Sequence, residues 1–542
     1  MNGITQRYTA YVMAFIGMAA VLSVALFSTS VDISSGKMFY QKLWLGRMAA
    51  IFVVCYLLAI CLHKEKSQFF PPMLTWILII LGGIEAIWGV SQICGLTASN
   101  HSLYTLTGSF FNPGPYSGYL AMVFPLCLYE WLNIRDNIKY TWITRGKYYI
   151  AFGVMALILC ILPAGMSRSA WVSVIVSSTW VYGMHMSLGS RLKFYIQEYK
   201  KKVIEGCIIG IGVLMMVGYA FFQLKAASAN GRLFMWKINL LAIAKSPVTG
   251  YGIGNFVSAY GKVQEEYFAS GKYSKIEELV AGSPEYAFNE YLQVAIEHGI
   301  PVLLLILLTI VFCLWKGYCK GRLGICGSVI SVLVFAFSSY PMQIPGFAIT
   351  FYFLLIACVN GRSKIPLLLN IIMMTLLSVY YLVSNQYTVC EQWNSSKVFY
   401  NIGAYQAAKK EYEKLYPELG NCGAFLFEYG HCLHKLKEYD NSTRILEEAM
   451  MYSNDPMILN IIGKNYQASG DYEKAEEYLI RSTHRLPGRI YPYYLLAKLY
   501  AEPKYRQPEK LKYAAEIVLT KEPKVQSTAV REMREEVKNL LK

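Results

Sequence analysis

Two arginine residues stand in polar segments that separate apolar stretches of the chain. Arg168 lies in "AGMSRSAW" (164–171), and Arg232 lies in "NGRLFMWKINL" (230–240), with Lys237 about a turn and a half further along. A guanidinium group presents a rigid fork of donors that fits phosphate oxygens. We therefore predict phosphate binding by Arg168 and Arg232, with Lys237 as a further clamp residue. The alternatives are an arginine that snorkels to the membrane surface and a solvated amphipathic helix.

Carboxylates crowd the start of an apolar stretch in "EYAFNEYLQVAIEHGI" (285–300). We prefer Glu290 as a catalytic base, with Glu285 and Asn289 as substrate-binding candidates. A helix-start carboxylate favoured by the helix dipole, and an asparagine that caps the helix, are the structural alternatives. His298 follows Phe288 by about ten residues, so it lies roughly 15 Å deeper along the same predicted helix, and we interpret it as facing the bundle interior.

Glycine and proline break up a third segment, "TGSFFNPGPYSGYLAM" (107–122). They interrupt a helix and let the backbone approach a ligand closely, so Asn112 is a candidate substrate-binding residue. A simple cap and turn is the equal alternative. In contrast, "YGIGNF" (251–256) lacks the preceding strand and the third glycine of a dinucleotide site.

The elements that must position these residues are apolar and membrane-sized. Of 542 residues, 55% are hydrophobic and only 16% are charged, fewer than the 25% or so of a typical soluble domain. Blocks of roughly 15–25 apolar residues match the length needed to cross a bilayer. Eleven such blocks cover residues 10–28, 43–62, 73–92, 115–132, 148–163, 169–187, 204–223, 291–315, 323–339, 346–360 and 365–383. The sequence therefore predicts an all-α, polytopic membrane bundle of 11–12 spans, whose first block is an uncleaved helix.

Basic residues predict the orientation of this bundle. With the N-terminus inside, the inside loops carry sixteen Lys and Arg residues and the short outside loops carry three. Since Lys and Arg are held on the cytoplasmic side, the long loop at 224–290 and everything after residue 385 are expected outside. The formal charge of +16 is then explained by topology and anionic lipid head groups, which argues against nucleic-acid binding.

The C-terminal part, residues 386–542, is charged and repetitive. Four tyrosines, Tyr405, Tyr439, Tyr472 and Tyr505, recur every 33–34 residues, and small residues recur at Gly430, Gly463 and Ala497. This pattern resembles the tetratricopeptide repeat, a helical hairpin that stacks into an α-solenoid. We predict a soluble repeat domain in the periplasm with a surface for a protein or glycan partner; a generic array of helical hairpins is the alternative.

The order of "FNPGPYSGYLAM", "SRSAW", "NGRLFMWKINL" and "FNEYLQVAIEHGI" resembles the O-antigen ligase and polymerase superfamily, over roughly residues 10–385. The resemblance implies a glycosyltransferase of the bacterial inner membrane that uses no cofactor and no metal. Its donor would be a polyprenyl-diphosphate-linked glycan, and its acceptor a lipid A core sugar, a growing polysaccharide or a protein hydroxyl. By motif position, Arg168 and Arg232 correspond to the arginines that hold the diphosphate.

One departure from the family pattern affects the predicted chemistry. The ligases carry histidine directly before the asparagine, and this chain carries Phe288, which cannot accept a proton. The catalytic base and the choice between ligase and polymerase therefore stay open. Two other classes are kept: a glycolipid transporter, which many spans would also suit, and a non-enzymatic scaffold in which the repeats are the active part.

Overall fold

The computed structural model describes residues 3–27, 70–136, 141–188, 198–199, 205, 226–360, 375, 386–523 and 527–541. All regular elements among these residues are helical, which confirms the predicted all-α class for the described chain. The first twelve α-helices are α1 (Gly3–Phe27), α2 (Phe70–Ile93), α3 (Pro113–Asp136), α4 (Trp142–Ile161), α5 (Arg168–His185), α6 (Ala226–Lys245), α7 (Phe256–Ala269), α8 (Lys275–Val280), α9 (Glu290–His298), α10 (Ile300–Cys319), α11 (Leu323–Ala336) and α12 (Pro345–Val359).

Nine further α-helices follow among the described residues of the charged C-terminal part. They are α13 (Gln386–Asn401), α14 (Tyr405–Leu419), α15 (Gly423–Lys435), α16 (Tyr439–Ala449), α17 (Pro456–Ser469), α18 (Tyr472–Arg485), α19 (Tyr491–Ala501), α20 (Pro508–Thr520) and α21 (Thr528–Leu540). Short 3₁₀ turns occupy Pro341–Gln343 and Pro503–Tyr505.

Three of the described helices, α2, α4 and α10, are long and apolar enough to cross a membrane. Shorter apolar helices cover Val12–Ser23, Leu323–Ala336 and Gly346–Val359. The predicted blocks at 43–62, 204–223 and 365–383 lie outside the described residues. The apolar helices establish a membrane protein, and the total of eleven spans stays a prediction.

The block predicted at 291–315 is not one continuous helix. Gly299 separates α9 from α10 and has a φ of +82°, in the left-handed region that favours glycine. Pro301 follows at the second position of α10, where its missing N–H is tolerated. The prediction of one continuous helix over 291–315 was therefore wrong, because the run of apolar residues outweighed a Gly-Ile-Pro signal in the sequence.

The chain forms two compact units. Unit 1 consists of the described residues within 1–221, 288–290 and 304–387, and unit 2 of those within 222–287, 291–303 and 388–542. Residues 224–290 were predicted to be a loop of the membrane domain. All but 288–290 of that loop fall in the same unit as the C-terminal helices.

Helix α3 packs against α2, α4, α5 and α11 in unit 1, and α11 also donates a hydrogen bond to its backbone. Pro125 has no N–H, so the carbonyl of Ala121 lacks its helical donor. The Ser331 hydroxyl of α11 donates to that carbonyl at 2.8 Å. Gly118 also lies so close to α11 that a Cβ would be 2.4 Å from the Phe335 ring. The bond from Ser331 gives the Ala121 carbonyl a partner that lipid could not supply, and the glycine allows the two helices to pack closely.

In unit 2 the repeated tyrosines fall at comparable places. Tyr405, Tyr439 and Tyr472 each begin a helix, and Tyr505 ends the 3₁₀ turn before α20. A Cβ added at Gly430 would lie 2.5 Å from Leu446, and one added at Gly463 would lie 2.8 Å from Leu479. The small residues therefore stand where paired helices approach closely. Assignment of this array to the tetratricopeptide family remains a proposal.

Candidate active site

The turn that leads into α3 is held by buried polar side chains of α2. Gln92 Oε1 accepts the N–H groups of Thr107 (2.9 Å) and Gly108 (2.7 Å). Glu85 Oε2 accepts the N–H of Ser109 at 3.1 Å, and a Cβ at Gly108 would lie 2.4 Å from that oxygen. Glu85 and Gln92 are less than 5% exposed. The turn is thus fixed through its backbone, and Gly108 is required by the close approach.

Sequence reasoning missed Glu85 and Gln92 as residues of this region. A signal was present, because a carboxylate within the apolar run of α2 is expensive unless it is used. Their partners lie 15–24 residues further along the chain, so the contacts depend on tertiary structure.

Asn112 occupies the start of α3. Its Oδ1 accepts the N–H of Gly114 at 2.9 Å, which gives one of the unpaired donors of the helix start a partner. The oxygen of Asn112 therefore serves the helix, as the cap-and-turn alternative requires. A substrate contact by Asn112 would have to use its amide nitrogen.

The hairpin between α4 and α5 brings Arg168 to the same region of unit 1. Arg168 is the first residue of α5 and is half-buried. The Trp171 indole donates to the carbonyl of Leu162 at 2.9 Å, which closes the hairpin. A Cβ at Gly165 would lie 2.1 Å from Ser117 Oγ in the first turns of α3. The arginine hairpin is therefore packed directly on the Gly- and Pro-rich segment.

The segment that precedes α9 meets the same part of unit 1 through aromatic rings. The ring of Phe288 contacts Tyr340 edge-on, with centroids 5.0 Å apart. Tyr340 stacks in turn on Phe111, with centroids 6.5 Å apart. Phe288 also has a φ of +48°, a left-handed conformation that costs energy for a bulky side chain. Phe288 thus joins two of the predicted motifs at a strained backbone position.

Glu290 is held in place by hydrogen bonds to the chain before α12. Only 6% of the residue is exposed. Its Oε1 accepts the N–H of Met342 at 2.7 Å, and its Oε2 accepts from the Gln343 amide at 3.2 Å. Such donors compensate the cost of burying a carboxylate. Asn289 beside it is 4% exposed. Both residues are therefore fixed rather than solvated.

Arg232 and Lys237 belong to unit 2, where both lie on α6. Five residues of helix place them roughly 140° apart around the axis, so they do not share a face. Lys237 Nζ donates to Glu277 Oε1 and to the Tyr267 hydroxyl, both at 2.7 Å. Lys237 is thus already engaged in an ion pair, which competes with the predicted clamp role.

The ion pair at Lys237 changes the titration of Glu277. Burial alone would raise the pKa of Glu277, but donors from Lys237, Ser274 and Tyr267 outweigh it and lower the pKa to about 2. The same bond to Glu277 raises the pKa of Lys237. The pair is therefore charged throughout the physiological range.

The "YGIGNF" segment secures the break between α9 and α10. Three backbone hydrogen bonds of 2.8–2.9 Å join the two regions: Tyr251 N to Ile296 O, Gly252 N to Glu297 O and Ile300 N to Pro247 O. A Cβ at Gly299 would lie 1.9 Å from the Val248 carbonyl oxygen. Gly299 therefore allows a close backbone contact between the helix break and the turn at Val248.

The remaining predicted residues lie elsewhere. Glu285 is exposed and belongs to unit 2. His298 is the last residue of α9 and is half-buried beside the helix break. Unit 1 therefore gathers the segments of Asn112, Arg168, Asn289 and Glu290.

The family comparison covers this region. Residues 116–307 match the model of the O-antigen ligase family. The matched segment runs from the first turn of α3 into α10 and includes Arg168, Arg232 and Glu290. It supports the O-antigen ligase superfamily and, in general, membrane glycosyltransferase activity of the ligase or polymerase type. A comparison with curated proteins gives no match.

Proposed function

We propose that this protein transfers an oligosaccharide or polysaccharide from a polyprenyl-diphosphate carrier to an acceptor on the outer face of the bacterial inner membrane. The observation that carries the proposal is the meeting of three separate motifs in unit 1, around the start of α3. Ser117 contacts the arginine hairpin at Gly165, and Phe111 and Phe288 share Tyr340. The family match to residues 116–307 gives the same class of chemistry.

In the proposed reaction an acceptor hydroxyl attacks the anomeric carbon of the glycan. The bond from that carbon to the phosphate oxygen breaks, and the lipid diphosphate leaves with the electron pair. Arg168 and Arg232 stabilise the developing negative charge with fixed guanidinium groups, and no metal or other cofactor takes part. The hydroxyl proton passes to a base, for which Glu290 is the candidate.

Glu290 suits this role by its surroundings. It is buried, and it has donors on both oxygens that hold it in one orientation. Each oxygen retains a second lone pair that can accept the hydroxyl proton. Asn289 orients the acceptor, and Glu285 and the Asn112 amide nitrogen contact the glycan. Lys237 contributes electrostatically while it stays paired with Glu277.

The acceptor is a lipid A core sugar or a protein hydroxyl. Polymerisation of an O-antigen or capsule is the second candidate, and Phe288 favours it because the ligases have histidine there. The proposal also has the C-terminal repeat domain lie in the periplasm, where its surface would bind a protein partner. A glycolipid transporter or a non-enzymatic scaffold is less favoured, because neither function explains why the arginine hairpin packs against the other motifs.

The test is a deletion strain complemented with Arg168→Ala, Arg232→Ala and the control Arg145→Ala, whose side chain is exposed on α4. Lipopolysaccharide, capsule and glycoprotein profiles are compared with the amount of lipid-linked glycan. We expect the first two variants to accumulate lipid-linked glycan and the control to behave as wild type. A ligase defect leaves long chains on the carrier, whereas a polymerase defect leaves single repeat units. Unchanged glycoconjugates in the deletion strain would refute the transferase function.

A further inference from the structure

An ionic cluster connects the long extracytoplasmic loop with the C-terminal helices inside unit 2. Glu265 of α7 accepts from Arg481 Nε at 2.8 Å and from Arg485 Nη2 at 2.5 Å, both on α18. The side chains of Glu265 and Arg485 are 14% and 6% exposed. We call Glu265, Arg481 and Arg485 the docking triad. Removal of one partner from such a buried cluster leaves a charge without compensation, which is costly.

Neutral contacts surround the docking triad and extend it. Gln264 Nε2 donates to the carbonyls of Arg485 (2.6 Å) and Gly282 (3.1 Å). Asn454 Nδ2 donates to the carbonyl of Pro284 at 3.1 Å. A Cβ at Gly261 would lie 2.6 Å from the Asn454 Cβ, so α7 approaches the helices closely. The loop is therefore seated on the C-terminal helices over its second half.

The same contacts reach the helix that carries Arg232. One apolar core contains Phe234 and Ile238 of α6, Tyr260 and Val263 of α7, and Leu486 just after α18. Since these side chains are almost fully buried, a shift of α18 would be felt at α6. The docking triad and this core thus connect the C-terminal helices with α6, the helix that carries Arg232.

We infer that the C-terminal helices are a positioning element for glycan transfer: the docking triad holds the extracytoplasmic loop and thereby sets the position of α6, the helix that carries Arg232. This inference rests on the proposed function. It gives the C-terminal region a role within its own chain, separate from any partner protein. Glu265, Arg481 and Arg485 act here as positioning residues, since none of them is proposed to touch the glycan.

The experiment uses the full chain in membranes. Glu265→Gln removes the central charge of the docking triad, and Gly261→Leu inserts a side chain where the contact with Asn454 leaves no room. Glu411→Gln is the matched control, because Glu411 forms an ion pair with Lys414 at the surface, away from the docking triad. Two quantities are measured: protease cleavage within residues 254–286, and the kcat and KM for a lipid-linked glycan donor.

We expect both loop variants to be cleaved faster than wild type and to raise the donor KM about tenfold or more, with the control unchanged. A purely structural role would reduce the amount of active protein, hence the apparent kcat, at constant KM. Variants with an opened loop and an unchanged KM would therefore overturn the positioning role. A wild-type chain that protects its loop but transfers no glycan would instead overturn the proposed function.

Discussion

At the scale of single residues, Glu290 and Phe288 bear on which group accepts the proton of the acceptor hydroxyl in the proposed reaction. The ring of Phe288 stands where the resemblance places a histidine, and it packs against Tyr340. Glu290 lies two residues further on, buried and bonded to Met342 and Gln343. Among the carboxylates of this segment, Glu290 is thus the proton acceptor closest in the chain to position 288. Its hydrogen bonds to Met342 and Gln343 equally suit a residue that anchors the 341–343 turn. A substitution that keeps shape and removes charge separates these two roles.

We predict that Glu290→Gln lowers the rate of glycan transfer by roughly 100-fold or more, the usual contribution of a general base. The amide keeps the size of the carboxylate, but its NH₂ group would face a donor. The measurement is single-turnover transfer as a function of pH, together with the melting temperature. Loss of the acidic limb of the pH profile would support the base. A lower melting temperature with near-normal transfer would identify an anchor.

Glu277 gives a second prediction, for stability. Its pKa is lowered to about 2 in the folded protein, below the value of about 4.3 of an unperturbed side chain. The ionised group therefore contributes stability above the unfolded pKa and loses it as the pH falls through the folded pKa. Because Lys237 is half-exposed, we expect Glu277→Gln to cost only about 1 kcal/mol at pH 7.

The difference between wild type and Glu277→Gln should shrink below about pH 4.3 and vanish only as the pH falls below about 2. Thermal unfolding of both chains in the same detergent, at several pH values, measures it. A difference that stays constant from pH 7 to pH 2 would contradict the ion pair as the source of the shift.

At the scale of elements, the length of the apolar blocks predicted the helices α2, α3, α4 and α5. Burial in lipid depends on composition over some twenty residues, so block length is informative there. It failed at Gly299, where one glycine beside the 247–252 turn decides the backbone. The segments of Arg168, Asn112 and Glu290 meet in unit 1, and their role as a catalytic site stays a prediction. The Glu85 contact, the ion pair of Lys237 and the strained Phe288 arise from tertiary packing, which local patterns do not encode.

Gly299→Ala should destabilise the protein strongly. A Cβ there would meet the Val248 oxygen, and the residue would keep an unfavourable φ of +82°. We expect a fall of several degrees in the melting temperature and faster proteolysis near residue 250. Gly153→Ala is the control, since nothing lies within 4 Å of a Cβ at that position in α4. Equal stability of the two variants would show that the helix break tolerates a side chain.

At the scale of the whole molecule, the proposed function requires that the residues assigned to donor and acceptor face the outer side of the membrane. Unit 1 contains Arg168 and Glu290, and unit 2 contains Arg232 and Glu285. The predicted topology meets this requirement because an odd number of spans leaves the C-terminal region outside. This orientation is a prediction from the distribution of Lys and Arg, and it can be measured with cysteines that the chain already has.

Cys94 follows the end of α2 and is predicted to lie outside, whereas Cys319 ends α10 and is predicted to lie inside. Both are exposed free thiols. A membrane-impermeant maleimide added to intact spheroplasts should therefore label Cys94 and spare Cys319, and permeabilisation should expose both. Mass spectrometry of the two peptides gives the extent of labelling without any substitution. Labelling of Cys319 alone in intact spheroplasts would show that the topology is the reverse of the predicted one. Arg168 would then lie on the cytoplasmic side, where it could not meet a flipped glycan.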